Sequence, residues 1–212
     1  MRWPWQRRRP EPPPPEPVPE ELPTDPLRVF RTLEGTGVDF IVIGGLAVQA
    51  HGHPRTTRDV DLVVAPDREN MRRLALALRE LHARLAGVGA DLLGVDPLDP
   101  GDLLRGGNFT LATVAGRVDL WTRPEDLLGA APWPELRRRS LALAVRGVTI
   151  RVIGKDDLIA MKRAAARPRD IEDIAALTDP RSRGREWGGE GRPPPPASSE
   201  RSRDRPGRAR GL

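Results

Sequence analysis

Two acids separated by a single residue, Asp59 and Asp61, open the otherwise apolar run DVDLVVA. On a strand, residues i and i+2 point to the same face. Two carboxylates so placed repel each other and disfavour the fold when nothing lies between them. A divalent cation removes the conflict, and hard oxygen ligands suit Mg²⁺. The alternative is a solvent-facing strand end, but Val60, Leu62, Val63 and Val64 make the strand look buried. A third acid, Asp119, stands alone in the apolar run Val118-Asp119-Leu120. Buried there it needs a partner; on an edge strand it would meet water. Upstream, Ile41-Val42-Ile43 runs into Gly44-Gly45 and then into residues of helical pattern. Glycine lets a phosphate approach the backbone, and a helix N-terminus offers free N–H groups and a positive dipole end. Alone, a Gly-Gly pair is usually only a turn.

These residues need elements to hold them. Thr24 or Asp25 can cap a helix beginning at Pro26, with Leu27, Phe30 and Leu33 on its face. Asp39–Ile43 reads as a strand, Leu46–Ala50 as a short helix, and Asp59–Ala65 as a second strand. A long helix is expected from Pro66-Asp67 to about Leu85, with Met71, Leu74, Ala75, Leu78 and Leu81 at helical spacing. Residues 87–107 are rich in Gly, Asp and Pro and read as loop. Asn108–Val114 and Arg117–Thr122 flank Ala115-Gly116, a hairpin signal, and Leu141–Val145 and Val148–Ile153 flank Arg146-Gly147, a second one. Pro124–Leu128 reads as a helical turn, and Lys155–Ala166 and Arg169–Leu177 as closing helices. The order implies an α/β or α+β sheet with helices.

Composition sets the frame. The 212 residues hold 24 Pro and 21 Gly but neither Cys nor Tyr. The absence of Cys excludes a disulfide scaffold, a zinc–cysteine site and a thiol nucleophile. It fits a reducing cytoplasm, the expected location. No apolar run approaches the length of a membrane-spanning helix, so no membrane partner is expected. The formal charge of +5 is unevenly spread: residues 1–26 carry −1, residues 27–180 carry +1 and residues 181–212 carry +5. The ends read as disordered: a Pro-rich tail over 1–26 and an Arg/Gly-rich basic tail over 181–212, around one domain at 27–180. The basic tail suits a weak electrostatic hold on nucleic acid, or simply a solvated linker.

Gly44-Gly45, thirteen intervening residues, Asp59-x-Asp61 and a distant apolar-Asp119-apolar run together resemble the nucleotidyltransferase superfamily, which has the DNA polymerase beta-like fold. The stretch GGLAVQAHGHPRTTRDVDLVV is the strongest part, and DLIAMKRAAARPRDIEDIAAL over residues 157–177 resembles the family's C-terminal helical segment. The particular likeness is to small bacterial AbiEii-type and minimal nucleotidyltransferases, including toxins of toxin–antitoxin pairs, and it covers about residues 27–178. It implies a mixed sheet flanked by helices. Asp59, Asp61 and Asp119 would be catalytic and would hold two Mg²⁺ ions, and Gly44-Gly45 would cradle the triphosphate of an NTP. It further implies transfer of a nucleoside monophosphate to a hydroxyl on RNA, protein or a small molecule, and an antitoxin among the partners.

Around that site, Arg55 and Arg58 lie within reach of triphosphate oxygens, or else in a solvated loop. The resemblance favours Lys162 over its neighbour Arg163 as a further triphosphate contact, while Asp170 and Asp173 read as ion-pair anchors of their helix rather than as chemical groups. Asn108, ahead of a strand near Asp119, is a minor candidate. His51 and His53 flank a Gly next to Pro and read as a turn, since the carboxylates already satisfy a metal. The five Trp residues are too scattered in sequence to form a stacking platform. Without Tyr, self-modification would fall on Ser or Thr, such as Thr56, Thr57 or Ser140. The competing functions are a catalytically silent nucleotide- or partner-binding module on the same fold, and a nucleic-acid binder acting through the basic tail.

Overall fold

A computed structural model describes residues 23–87 and 94–179. The expected disorder of the two tails therefore lies almost wholly outside the described residues. Thr24 and Asp25, on the tail side of the expected boundary, are already part of the packed chain: Asp25 N–H donates to Ala115 O at 2.9 Å, and the Thr24 hydroxyl donates to Arg58 O.

Seven helices and seven strands follow. Helix α1 (Pro26–Gly35) starts where the side chain of Asp25 accepts from Arg28 N–H at 3.1 Å and a proline opens the first turn. Strand β1 (Phe40–Val42) leads to α2 (Gly44–Ala50), then β2 (Asp59–Val64) and α3 (Arg68–Glu80). After these come β3 (Arg84–Leu85), α4 (Pro100–Arg105), β4 (Asn108–Thr113), β5 (Gly116–Trp121) and a 3₁₀ turn (Pro124–Asp126). The chain continues through α5 (Trp133–Arg139), β6 (Leu141–Val145), β7 (Val148–Val152), α6 (Lys155–Ala165) and α7 (Pro168–Thr178). The strands form one mixed sheet in the order β3-β4-β5-β2-β1-β7-β6. The β2–β5 and β1–β7 pairs are parallel, and the other neighbours are antiparallel. This is the expected mixed α/β sheet.

Alternation divides the sheet's two faces. Val60, Leu62, Val64, Val118, Leu120, Phe109 and Leu111 are buried in one apolar core with Phe30 and Leu33 of α1 and Met71, Leu74 and Leu78 of α3. Phe30 stacks on Phe40 with ring centroids 6.1 Å apart. The opposite face carries the acids. There α5 is tied to the β1–β7 side: Arg137 Nε donates to both carboxylate oxygens of Asp39 at 2.9 Å.

Four local expectations are corrected. Helix α3 ends at Glu80 rather than near Leu85. His82 takes a left-handed φ of 51°, Ala83 N–H returns to Leu78 O at 2.9 Å, and Arg84–Leu85 pair with β4 as an edge strand. The expected loop over 87–107 contains α4, because Asp99 caps Gly101 and Asp102 N–H at 2.8 and 3.0 Å ahead of Pro100; residues 88–93 lie outside the described residues. Helix α5 fills a stretch that had no assigned element. In the first hairpin the turn is Val114-Ala115, one residue earlier than expected, and Gly116 already pairs with Thr113. Gly116 has φ +94°, and a Cβ there would stand 2.6 Å from Thr24 Cα, so its glycine serves the approach of the N-terminal segment. The Thr113 hydroxyl closes the turn, accepting from Ala115 N–H at 3.0 Å and donating to Gly116 O at 2.7 Å.

Candidate active site

The shifted turn fixes the register of β5 and with it the surroundings of Asp119. Asp61 and Asp119 are direct partners across the parallel β2–β5 pair, and Thr110 faces Asp119 from β4. One carboxylate oxygen from each of Asp59, Asp61 and Asp119 lies within 4.8 Å of the others, and all three residues are half-buried. The Thr57 hydroxyl donates to Asp59 Oδ1 at 2.8 Å and the Thr110 hydroxyl to Asp119 Oδ1 at 2.7 Å. Arg117 Nη2 lies 3.6 Å from Asp119 Oδ2 at the exposed side of the group.

Such crowding has an electrostatic cost. Burial, then the charges of Asp59 and Asp119, push the Asp61 carboxyl up to about 6 from an ordinary 3.8. A backbone hydrogen bond from Gly45 and the charge of Lys162 act in the opposite sense. Three hard oxygen donors converge and each disfavours its neighbours' charge, which is the donor chemistry of a divalent-cation site. The carboxylates therefore fit Mg²⁺. Among the described residues this is the one cluster of acids and histidines with such geometry, and neither His51 nor His53 belongs to it. His51 Nε2 instead lies 2.9 Å from Ile153 O.

The glycine pair abuts the acids. Ile43 N–H donates to Asp61 O at 3.0 Å and carries the chain from β1 into α2 directly beside β2. Gly44 has φ +61°, and a side chain there would collide with the Asp61 carboxylate. At Gly45 a Cβ would stand 2.7 Å from Thr57 Oγ1 and 3.1 Å from Arg55 Nη2. Only glycine leaves both backbone positions open beside a cation and the acids.

A second cluster joins this turn to the last helices. Lys162, 7% exposed, donates to Asp170 Oδ1 at 3.0 Å and to Asp173 Oδ2 at 2.6 Å. Arg55 Nη1 meets the same Asp173 oxygen at 2.5 Å. Arg169 Nη2 donates to Thr56 O at 2.6 Å, and Gln49 Nε2 to Arg55 O at 2.7 Å. Asp170 and Asp173 thus anchor the helical segment through ion pairs, and Arg55 and Lys162 are brought together on one buried acid. Arg58, Arg163 and Asn108 are exposed, and Arg58 enters through its carbonyl alone among the described contacts.

Sequence reasoning missed Thr110, Arg117 and Arg169, and it considered Thr57 only as a possible acceptor. Thr57 carried a usable signal, since a hydroxyl two residues ahead of an acid can bond it locally. Thr110 could be found only from the hairpin register.

Residues 28–187 match the family model described as nucleotidyl transferase AbiEii toxin, type IV TA system. The fold is similar to that of the lincosamide antibiotic adenylyltransferase LnuA, solved with lincomycin bound. The TM-score is 0.51 at 13% identity, over 74% of this chain and 99% of that one. A second similar structure is the antibiotic-resistance factor ANT(2'')-Ia, solved in solution. Its TM-score is 0.47 at 14% identity, over 71% of this chain and 79% of that one. No curated protein matches the chain in sequence.

Proposed function

The chain belongs to the AbiEii nucleotidyl transferase family, and from that premise we propose that it moves a nucleoside monophosphate from an NTP to an acceptor hydroxyl in a Mg²⁺-dependent reaction. The observation that carries the reading is the convergence of Asp59, Asp61 and Asp119 within 4.8 Å, beside the open Gly44–Gly45 turn. Asp59 and Asp61 would hold the cations together with Asp119. Bound there, Mg²⁺ would neutralise phosphate charge and lower the pKa of the acceptor hydroxyl.

The protein's own groups do the positioning. The backbone at Gly44 and Gly45 receives the β- and γ-phosphates, and Arg55 and Lys162 supply cationic partners for their oxygens. Thr57 and Thr110 fix the carboxylates of Asp59 and Asp119 by hydrogen bonds. The acceptor oxygen forms a bond to the α-phosphorus. The bond from that phosphorus to the bridging oxygen of the β-phosphate breaks, and pyrophosphate leaves with the electron pair. The hydroxyl proton passes to the Asp119 carboxylate and on to water.

The family description supports a toxin role with an antitoxin as partner. A cytoplasmic site of action suits a chain without Cys. No helix among the described residues is long and apolar enough to cross a membrane.

The test is incubation of the protein with each labelled NTP, Mg²⁺ and total cell extract, followed by identification of the labelled product. Asp59→Ala combined with Asp61→Ala should abolish labelling; label transfer persisting in that double variant would refute the proposal. Saturable NTP binding with no transfer to any component would instead favour a silent binding module.

A further inference from the structure

Strand β6 closes one end of the sheet order, so one of its sides has no neighbouring strand. Its five residues, LALAV, are all aliphatic, yet none is buried, and Leu141 is 44% exposed. Edge strands are usually guarded by Lys, Pro or a bulge. This one has none of the three: its pairing with β7 runs unbroken from Leu141 to Val145. The backbone shows which groups face outward. On β7, Ile153 N–H donates to Val42 O at 3.0 Å and Thr149 N–H to Glu34 Oε1 at 2.8 Å, so neither is spent on β6. Alternate residues of a ladder point to opposite sides. Val148, Ile150 and Val152 therefore face β6, where they meet Val145, Leu143 and Leu141. The N–H and C=O groups of Ala142 and Ala144 point out of the sheet. No contact among the described residues takes them.

The rest of the chain offers no strand for this place. Neither residues 1–22 nor residues 180–212 contain two adjacent aliphatic residues. Seven of residues 10–19 are proline and lack the N–H that a ladder needs. Residues 88–93 follow β3, at the opposite end of the sheet. A second copy of β6 does fit. Antiparallel pairing about Leu143 sets Leu143 against its counterpart, Leu141 against Val145 and Ala142 against Ala144. Large side chains then meet large ones, and the alanines exchange their outward N–H and C=O groups. No two charged residues meet. A shift of two residues either way would set Val145 opposite Arg139 or Leu141 opposite Gly147, so the central register is the one that pairs all five aliphatic residues with one another.

We infer that the protein forms a twofold-symmetric dimer in which β6 pairs antiparallel with β6 of a second copy about Leu143, joining two seven-stranded sheets into one. The inference does not depend on the transferase reading. β2 lies three strands from β6, which leaves the two acidic groups seven strand spacings apart, roughly 34 Å. A single strand pair is a small interface, so the dissociation constant should be about micromolar.

The experiment uses the full chain. Sedimentation equilibrium between about 1 and 200 μM should show a monomer–dimer equilibrium. Leu143→Lys sets two ammonium groups at the axis and should weaken the dimer at least about tenfold. Leu143→Glu should do the same alone, and an equimolar mixture of the two variants should restore a one-to-one dimer. Leu143→Cys supplies the one thiol in a chain that has no Cys. A non-hydrogen-bonded antiparallel pair brings the two Cα atoms within disulfide reach, so mild oxidation should cross-link this variant. Leu76→Cys, 56% exposed on α3, should stay monomeric as the control. NTP affinity should stay within about twofold of the unaltered protein in every variant, which separates loss of the dimer from loss of the fold. A protein that stays monomeric throughout the range overturns the inference. So does a dimer that ignores Leu143→Lys and leaves Leu143→Cys uncross-linked, since another face would then hold it. A monomer whose β6 instead captures a strand of a different protein, with capture lost in Leu143→Lys, also overturns the second copy as occupant.

Discussion

Asp61 shows how function opposes stability at a single residue. Its carboxyl is raised to about 6 by burial and by two acidic neighbours. The folded, metal-free protein therefore binds a proton between pH 3.8 and about 6 that the unfolded chain releases. Stability from this group is present below the unfolded value and is lost as pH rises through the folded one. A shift from 3.8 to about 6 corresponds to roughly 3 kcal/mol. Asp61→Asn keeps the shape and discards the charge. In EDTA at pH 7.5 it should raise Tm by up to about 6–10 °C, and the gain should vanish below pH 4. Adding Mg²⁺ should raise the Tm of the unaltered protein and leave that of the variant nearly unmoved. A Tm difference that ignores pH would refute this account. The acids themselves were legible in the sequence because i, i+2 spacing and apolar flanks are local signals. Thr110 was not, because its place opposite Asp119 depends on where the hairpin turns. A glycine fitted to Thr24 across the fold looked like part of that turn.

At the level of elements, α6 and α7 act as one clamp on the loop between α2 and β2. Their junction is Ala166, in a left-handed conformation with φ 49° at the C-cap of α6. An alanine there is strained where glycine would not be. Ala166→Gly should stabilise the protein by roughly 0.5–1 kcal/mol, seen as a higher urea midpoint at unchanged slope. The clamp's grip is Asp173, 6% exposed and shared by Arg55 and Lys162. Removing it leaves two cations with Asp170 as the remaining acid among the described ion pairs. Asp173→Ala should cost about 3 kcal/mol and raise the KM for NTP, since Arg55 loses its orientation. Adding Arg55→Met should recover part of the stability but none of the nucleotide affinity. Recovery of both would show that Arg55 plays no part in nucleotide binding. The helices of this clamp were legible from their periodicity and prolines. The contact of Asp173 with Arg55, 118 residues apart in sequence, was not, because helix-to-loop docking leaves no periodic trace. Strand β3 escaped for a related reason: two residues become a strand only through the neighbour they pair with. Helix α4 was missed although Asp99-Pro100 is a capping signal, since the surrounding Gly, Asp and Pro suggested loop.

For the whole molecule, charge distribution decides more than total charge. The net +5 of the chain equals the net charge of residues 181–212 alone, while the acids that define the site lie in a segment carrying only +1. The pI near 10.9 is therefore a property of the tail. We expect residues 23–187, which span the described domain and the family match, to fold and bind NTP without the rest. Tm should stay within about 2 °C of the full chain, because the tail residues add few aliphatic side chains to any core. RNA affinity should follow the charge of the basic tail. Its salt dependence should shrink on truncation, with the slope of log K against log salt falling by at most about 2 for the three net charges lost with residues 188–212. Anisotropy measured against salt for the full and the truncated chain checks this. If truncation leaves both the affinity and the slope unchanged, the tail takes no part in nucleic-acid binding.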